Sequence, residues 1–403
     1  MPTYKYTALD KYGKKIEKNY SAQSKDEVLN MLRQNSYYPI KVEIDSKTKD
    51  IKKFTIPRKV KIKDIAVFCR QFYAMVNAGV PIVNCLDILR YQTENKNLKK
   101  TLNNVYEDVN KGMTFSESLK THKKIFPDLL INMVEAGEVS GNLDVIMARM
   151  ATHFEKENKI NNKVKGAMTY PVILSVISIL VVIFLLVVVM PTFVGMFEIS
   201  GVELPKPTLI LLAVSDFIKN FWYILSAFII GLIYTYKKYS ESVKGRRKID
   251  SIKLSIPIIK GTTIKIITSR FTRTMSTLLS SGVSLIETLD IVSRIVGNKV
   301  VEEGLLQSKE DIRKGINLAE PIKNIGVFPP MVTSMIKIGE ESGALDDILE
   351  KTANFYDDEV ETAVQRMTTL LEPIMIVVMA VIIGSIVIAM ILPMFDMINT
   401  IQY

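Results

Sequence analysis

The sequence predicts a mainly α-helical membrane protein. It reads as two homologous cytoplasmic helical bundles plus three transmembrane helices, with a small N-terminal α/β module. Three observations carry this reading. Two long stretches, Pro171–Phe197 and Pro373–Phe395, contain no charged residue at all, and a third, shorter apolar run covers Phe221–Tyr236. The chain repeats itself at an offset of about 203 residues. The first fifty residues differ from the rest, with strand-like segments at Tyr4–Ala8 and Ile40–Ile44 on either side of a short helix.

The N-terminal fifty residues come first. Tyr4-Lys-Tyr-Thr-Ala8 alternates among β-formers and Gly13 marks a turn. Ser24-Lys-Asp-Glu27 has the spacing of a capping box and opens a helix to about Asn35, and Ile40–Ile44 reads as a further strand. Residues 1–50 are therefore the α/β module, and the Lys-rich stretch 51–63 with Pro57 is a linker. MPTYKYTALD has no basic-then-apolar pattern, so no cleaved signal peptide is expected.

The repeat sets the rest. Phe68, Arg70, Gly79, Val80 and Leu86-Asp87 fall on Phe271, Arg273, Gly282, Val283 and Leu289-Asp290 at an offset of 203. After one deletion the offset is 202, and Phe126-Pro127, GEVSG at 137–141, Pro171 and Pro191 fall on Phe328-Pro329, GEESG at 339–343, Pro373 and Pro393. A period this long is a domain duplication rather than a solenoid. In each copy the apolar residues follow a helical face: Ile65, Phe68, Cys69, Phe72 and Val76 in the first, and Ile264, Ile267, Phe271, Met275 and Leu278 in the second. Gly79 and Gly282 end these helices. Pro81 and Ser284 start the next ones by different chemistry, a fixed φ at the first turn and a side-chain cap. Thr114-Phe-Ser-Glu117 and Asn317-Leu-Ala-Glu320 both have capping-box spacing, and Pro127 and Pro329 suit a first helical turn. About six helices per copy are expected. The last of the first copy, roughly Asn142–Met168, is long enough to lead straight into the membrane.

The expected boundaries are 64–170 for the first bundle, 171–194 for the first span and 195–214 for a short extracytoplasmic segment. They continue with 215–236 for the second span, 237–372 for the second bundle, 373–393 for the third span and 394–403 for an extracytoplasmic tail. A span needs roughly 20 residues, and the second reaches that length only by drawing on Leu209–Asn220. Lys237, Lys238, Lys244, Arg246, Arg247 and Lys248 follow the second span, and Lys156, Lys159, Lys163 and Lys165 precede the first. The segment joining these spans has only Lys206 against three acidic residues. The positive-inside rule thus puts both bundles in the cytoplasm of a bacterial cytoplasmic membrane. The inner flank of the third span, with Asp357, Asp358, Glu359 and Glu361 against Arg366, fits the rule poorly and is oriented by parity. Trp222, Tyr223, Tyr234 and Tyr236 bracket the second span as interfacial aromatics do.

Several function classes fall away. The formal charge of +10 lies largely beside the spans, where lipid explains it better than nucleic acid does. There is no phosphate-binding Gly-rich loop and no dinucleotide fingerprint. Cys69 and Cys85 are not paired as CxxC, and His122 and His153 have no partners at metal-ligand spacing, so no catalytic, cofactor or metal residues are assigned. Glu372, before Pro373, reads as a carboxylate at a helix N-terminus. Ala380 with Gly384, and Ser385 with Ala389, give the third span two close-packing faces suited to a homo-oligomer. Glu138, Ser140, Gly141, Glu340, Ser342 and Gly343 in the two GExSG strings read as loops. With Arg70 and Arg273 they are the partner-binding candidates, against a purely structural use of the same residues.

The motifs FCRQFYAMVNAGVPI and FTRTMSTLLSSGVSLIETL, the opening YKYTALDKYG, the GExSG strings, TYP before the first span and LEP before the last occur in order along nearly the whole chain. In this combination the sequence resembles the inner-membrane platform proteins of type IV pilus and type II secretion systems, the PilC/GspF family. The resemblance implies a non-enzymatic assembly role. Its implied partners are a hexameric cytoplasmic ATPase, pilin or pseudopilin subunits, other inner-membrane assembly proteins and membrane lipid. The Lys-, Ile- and Asn-rich composition points to a low-GC bacterium and so to the pilus over secretion across an outer membrane. A transporter permease or another polytopic scaffold is the alternative; a permease calls for more spans and for polar residues at mid-membrane.

Overall fold

Residues 3–10, 13, 15–44, 59–199 and 204–401 are described by the computed structural model. The chain divides into two units, Met1–Lys59 and Val60–Tyr403. In the first, alternation puts Tyr4, Tyr6 and Ala8 of strand β1 (Thr3–Leu9) on one face, where they are buried with Val28 and Leu32 of helix α1 (Lys25–Gln34) and Val42 of β3 (Tyr38–Ile44). The antiparallel sheet has the order β2-β1-β3. Strand β2 (Lys15–Ser21) has no apolar face to announce it and is almost wholly exposed, so main-chain pairing to β1 holds it. The Ser24 hydroxyl accepts from the Glu27 N–H. The Glu27 carboxylate accepts from Gln23, one residue before the N-cap on which a capping box would close.

Most of the linker, residues 45–58, lies outside the described residues. The second unit carries six helices per copy. The first copy has α2 (Ile62–Asn77), α3 (Ile82–Gln92), α4 (Lys96–Asn110), α5 (Phe115–Thr121), α6 (Asp128–Ser140) and α7 (Leu143–Phe184). A π-helical turn at Leu185–Val189 and α8 (Met190–Ile199) continue α7. Two helices without counterpart follow, α9 (Lys206–Glu241) and α10 (Val243–Ser255). The second copy has α11 (Pro257–Leu279), α12 (Leu285–Ile295), α13 (Lys299–Arg313), α14 (Ala319–Asn324), α15 (Pro330–Ser342) and α16 (Leu345–Ile401). Buried Phe68, Phe72, Phe115 and Phe126 in one copy, and Phe271 and Phe328 in the other, belong to one apolar cluster running through both bundles. Cys69 and Cys85 are buried free thiols in it, and burial pushes both thiols up from their ordinary pKa.

Three local expectations need correction. Helix α2 starts at Ile62, inside the stretch assigned to the linker, because Asp64 folds back to accept the Lys61 N–H at 2.9 Å. Pro81, Pro127 and Pro329 are N-caps rather than first-turn residues; their ψ of 145–148° is extended, which a fixed φ near −60° suits equally well. Thr114 and Glu117 do form a capping box, but Asn317 and Glu320 do not. Helix α14 begins one residue later than that spacing requires, and its first N–H groups bond elsewhere, as described below.

Three helices are long and apolar enough to cross a membrane, lying within Leu143–Gly195, Lys206–Glu241 and Leu345–Phe395. Helices α7 and α16 run from soluble bundle into apolar span without a break, through Pro171 and Pro373. Glu372 is therefore mid-helix, not at an N-terminus, and its carboxylate lies 3.5 Å from the Tyr170 hydroxyl. The two residues are equivalent under the duplication.

Proline has no N–H, so Pro393 deprives the Ala389 carbonyl of its helical partner. In the other copy the π turn bonds Met190 N–H to the Leu185 carbonyl. The Leu186 carbonyl is then left facing Pro191, which has no N–H either. Both orphaned carbonyls are satisfied by α9. The Thr208 hydroxyl donates to Ala389 and the Ser215 hydroxyl to Leu186, each at 2.5 Å and each buried. The two hydroxyls are seven residues apart, on one face of α9. Leu211 and Leu212 pack between them against Leu186, Met190, Val194 and Ile386. Much of the segment expected to be a short extracytoplasmic connection is thus helix packed on its neighbours, though residues 200–203 lie outside the described set. At Phe221 the backbone leaves helical geometry (φ −118°, ψ 21°). Beyond this kink, residues 222–239 are exposed on every side, apolar flank included.

Replacing Thr208 by Val and Ser215 by Ala leaves two buried carbonyls unpaired, each costing about 1 kcal/mol. The double variant is expected to unfold at a lower temperature in detergent, with Thr208→Ser close to wild type. An unchanged midpoint would refute the capping account.

Candidate functional site

Each GExSG string is the last turn of a helix and its cap rather than a loop. Gly141 and Gly343 take φ of 73° and 68° in the left-handed region that ends a helix. Gly137 and Gly339 are buried where the following helix begins. A Cβ at Gly339 would lie 2.9 Å from Leu345 Cα, and one at Gly137 would lie 3.0 Å from Ile146 Cγ1. Ser140 and Ser342 are exposed and bond back to main-chain carbonyls of their own helix. The carboxylates, expected to be exposed, turn inward. Glu138 accepts the Phe115 and Ser116 N–H groups at 2.7 and 2.9 Å, and Glu340 accepts those of Leu318 and Ala319 at 2.5 and 3.0 Å. Each thus caps the N-terminus of the short helix α5 or α14, where a negative charge is favoured. This is why α14 needs no capping box of its own.

The arginine candidates are likewise committed. Arg70 on α2 makes a two-pronged pair with Glu155 on α7, at 2.8 and 2.6 Å, and also reaches Thr152. The pairing holds the Arg70 guanidinium above and the Glu155 carboxyl below their ordinary pKa values. Arg273 on α11 bonds Asp357 and Asn354 on α16, the positions that the duplication pairs with Glu155 and Thr152. The first pair is exposed (42 % for the Arg70 side chain) and the second is buried (9 % for Arg273).

The second pair is buried because the two copies meet there. Lys156 of α7 bonds Asn354 of α16 at 2.7 Å, Lys163 pairs with Glu361, and Arg149 bonds Ser280. Arg270 reaches Asn161, and Ile160 packs on Val360 and Val364. The acidic row that fits the orientation rule poorly is largely consumed internally: Asp357 by Arg273, Glu359 by Lys265 and Glu361 by Lys163. A cleft of about 490 Å³ opens on this seam, with Arg149, Lys156 and Arg273 facing Asp346, Asp347 and Glu350. His153 lies beneath it, its Nδ1 buried without a hydrogen-bond partner among the described residues, as are the Nε atoms of Arg270 and Arg273. Burial, with a smaller contribution from the Arg273 charge, depresses the His153 pKa to about 3. The imidazole is thus neutral at physiological pH. Burial pushes the neighbouring Glu157 carboxyl up. Among the described residues no three His, Cys, Asp or Glu side chains converge as a metal site. The cross-copy bonds of Arg149, Lys156, Lys163 and Arg270 hold the two copies together along this seam.

Of the span residues singled out for close packing, only Ala389 is buried, against α9. Ala380 and Ser385 are exposed, and a Cβ at Gly384 would meet nothing within 4 Å. The hydroxyls Thr208 and Ser215 were not legible as functional. The signal that finds them is the proline repeat, which implies two missing donors.

Comparison with known proteins covers nearly the whole chain. Residues 68–191 and 271–393 each match the model of the family described as type II secretion system (T2SS), protein F. Residues 1–43 match the N-terminal domain of type II secretion system protein F. The chain is 40 % identical over 406 residues to the type IV pilus assembly protein PilC of Thermus thermophilus, covering 100 % of both chains. It is 39 % identical to that of Myxococcus xanthus, covering 84 % of this chain and 82 % of the relative. Against the type II secretion system protein F of Vibrio cholerae the identity is 31 %, covering 99 % of each chain.

Removing either capping carboxylate should destabilise its bundle. Glu138→Ala and Glu340→Ala are each expected to cost about 1–2 kcal/mol, read as a lowered unfolding midpoint, with Glu138→Gln intermediate. Midpoints equal to wild type would show that the caps are dispensable.

His153 gives a pH dependence of definite sign. Its folded pKa, about 3, lies below the ordinary value of 6.5. The unfolded chain therefore binds the extra proton, and stability present above pH 6.5 is lost as pH falls toward 3, by up to about 1.4 kcal/mol per pH unit. The raised Glu157 carboxyl acts in the opposite direction. His153→Phe, which installs the residue found at the equivalent Phe355, should flatten the acid-side loss relative to wild type. Parallel stability profiles between pH 6.5 and 4.5 would exclude His153 as a source.

Proposed function

The chain belongs to the type II secretion system protein F family, and from that premise we propose that it is the membrane platform on which a type IV pilus is assembled. In this reading the two bundles receive the work of a hexameric cytoplasmic ATPase, and the spans pass it to pilin subunits as they leave the bilayer for the growing fibre. Full-length identity higher to pilus-assembly relatives than to secretion relatives carries the choice of the pilus. The secretion pseudopilus is the second reading, since secretion proteins of this family also align over the full chain.

Several features support the assignment. The charged pairs of Arg70, Arg273, Lys163 and Lys265 hold helices together, as befits a scaffold. Basic flanks beside the first and second spans favour a cytoplasmic position for both bundles. The two copies enter the membrane in the same direction because the unduplicated α9 returns the chain between them. A platform of this kind acts alongside other inner-membrane assembly proteins and as a homo-oligomer.

Deleting the gene should abolish surface pili, seen by electron microscopy, while pilin persists in the membrane fraction. A plasmid copy should restore them. Normal fibres in the deletion strain would remove the pilus reading, and loss of protein secretion with fibres intact would favour the second. In the complemented strain, Lys111→Cys and Lys314→Cys, each made with Cys69→Ala and Cys85→Ala, should resist a membrane-impermeant maleimide in intact cells and react in inverted vesicles. Labelling in intact cells would reverse the orientation.

A further inference from the structure

Helix α10 is not part of the duplication, and it carries the densest positive charge of the described chain. From residue 237 to 253 there are seven cations, Lys237, Lys238, Lys244, Arg246, Arg247, Lys248 and Lys253, against Glu241 and Asp250. Asp250 is buried and already committed. It accepts the Lys299 N–H at 3.0 Å, capping α13, and pairs with Lys253 at 2.9 Å. Arg247 pairs with Glu303 at 2.9 Å, and Arg246 lies 4.0 Å from Asp250. Lys237, Lys238, Lys244 and Lys248 are exposed and have no carboxylate partner among the described residues. Orientation of the span needs a basic flank; it does not need one fixed in shape.

This flank is fixed. Ser242 breaks the helix between α9 and α10, its hydroxyl accepting the Gly245 N–H at 3.1 Å and lying 2.9 Å from the Tyr239 carbonyl. At Gly245 a Cβ would sit 2.0 Å from that same carbonyl oxygen, so the corner closes only on glycine. Leu254 packs on the bundle core, and Asn298 and Lys299 hold Asp250 from the other side. The cations are therefore presented at a set angle to a membrane-crossing helix. The apolar run Phe221–Tyr236 is about 24 Å long at 1.5 Å per residue. It ends at exposed Tyr234 and Tyr236, residues of the type that marks the headgroup level. Immediately beyond is a cleft of about 530 Å³ lined by Tyr236, Ser240, Glu241, Arg246, Asp250 and Lys253. Val243, Ile256 and Ile258 are exposed on the same segment, which therefore offers apolar as well as cationic surface.

We propose that the α9–α10 corner is a binding site for the headgroup of an anionic glycerophospholipid. Arg246 and Lys253 meet the phosphate in the cleft, with the Tyr236 and Ser240 hydroxyls as further donors. Lys237, Lys238, Lys244 and Lys248 meet the surrounding anionic surface. A soluble acidic protein would satisfy the charge equally well, but it would have to reach a cleft that starts where the bilayer-spanning segment ends. The lipid is already there. The inference rests on α9 crossing the membrane and not on what the platform assembles, so its failure leaves the pilus reading untouched.

The test uses the full chain, purified in neutral detergent and titrated with phosphatidylglycerol or phosphatidylcholine, with retained lipid counted by native mass spectrometry. Wild type should retain phosphatidylglycerol at least tenfold better. Arg246→Gln with Lys253→Gln should lower retention tenfold or more. The variant Lys237→Gln, Lys238→Gln, Lys244→Gln and Lys248→Gln breaks no ion pair and keeps the corner intact, and it should lower retention similarly. Lys123→Gln with Lys124→Gln, in the first copy, should change nothing. Equal retention of the two lipids, or undiminished phosphatidylglycerol retention in the four-lysine variant, overturns the proposal.

Discussion

A backbone carbonyl inside a bilayer must find a donor, and two prolines in this chain remove donors at matched places. That constraint organises the membrane region. Pro191 and Pro393 were copied with the domain, so both duplicated helices carry the same defect, and each defect is repaired by a hydroxyl from α9. The repair makes the unduplicated helix the one that ties the copies together inside the membrane. Without Thr208 and Ser215, α7 and α16 would each bury an unpaired carbonyl, and the apolar packing of Leu211 and Leu212 would have to hold the spans without polar registration.

Outside the membrane the same duplication supplies two versions of each device, and the versions have diverged according to what covers them. The arginine–carboxylate pair of the first copy faces solvent, where such pairs contribute little. Its twin is buried against the other copy, where removing one partner would strand a charge. The histidine at the seam and the phenylalanine at its equivalent position record the same divergence. His153 is pressed against the other copy, while Phe355 is exposed.

Much of the fold was legible in the sequence because the repeat doubles every signal. Six helices per copy, their glycine stops, the long helices entering the membrane and the strand–helix–strand core of the N-terminal module all follow from periodicity and turn residues. What escaped has physical reasons. Strand β2 has no buried face, so alternation cannot report it. The GExSG strings look like loops because two glycines in five residues usually mean a turn. Here one glycine ends a helix and the other admits a neighbouring backbone, leaving the glutamate to point inward. The false capping box at Asn317 fails because Glu340, on the following helix, supplies the cap instead. Of the residues picked for partner contact, sequence position was right about their pairing across copies but silent about where their side chains point.

The continuity of α7 and α16 through their prolines has a geometric consequence. Helix α16 is 57 residues long, about 86 Å at 1.5 Å per residue, and about half of that length lies among soluble helices. The helix is continuous between the two halves, with Pro373 at their boundary. The two long helices meet from Lys156 and Asn354 down to Tyr170 and Glu372, so the contact between the copies continues to the mouth of the spans. The helix is both the wall of a domain and the rod that leaves it, so a residue that packs the bundle and one that crosses the bilayer share a single axis.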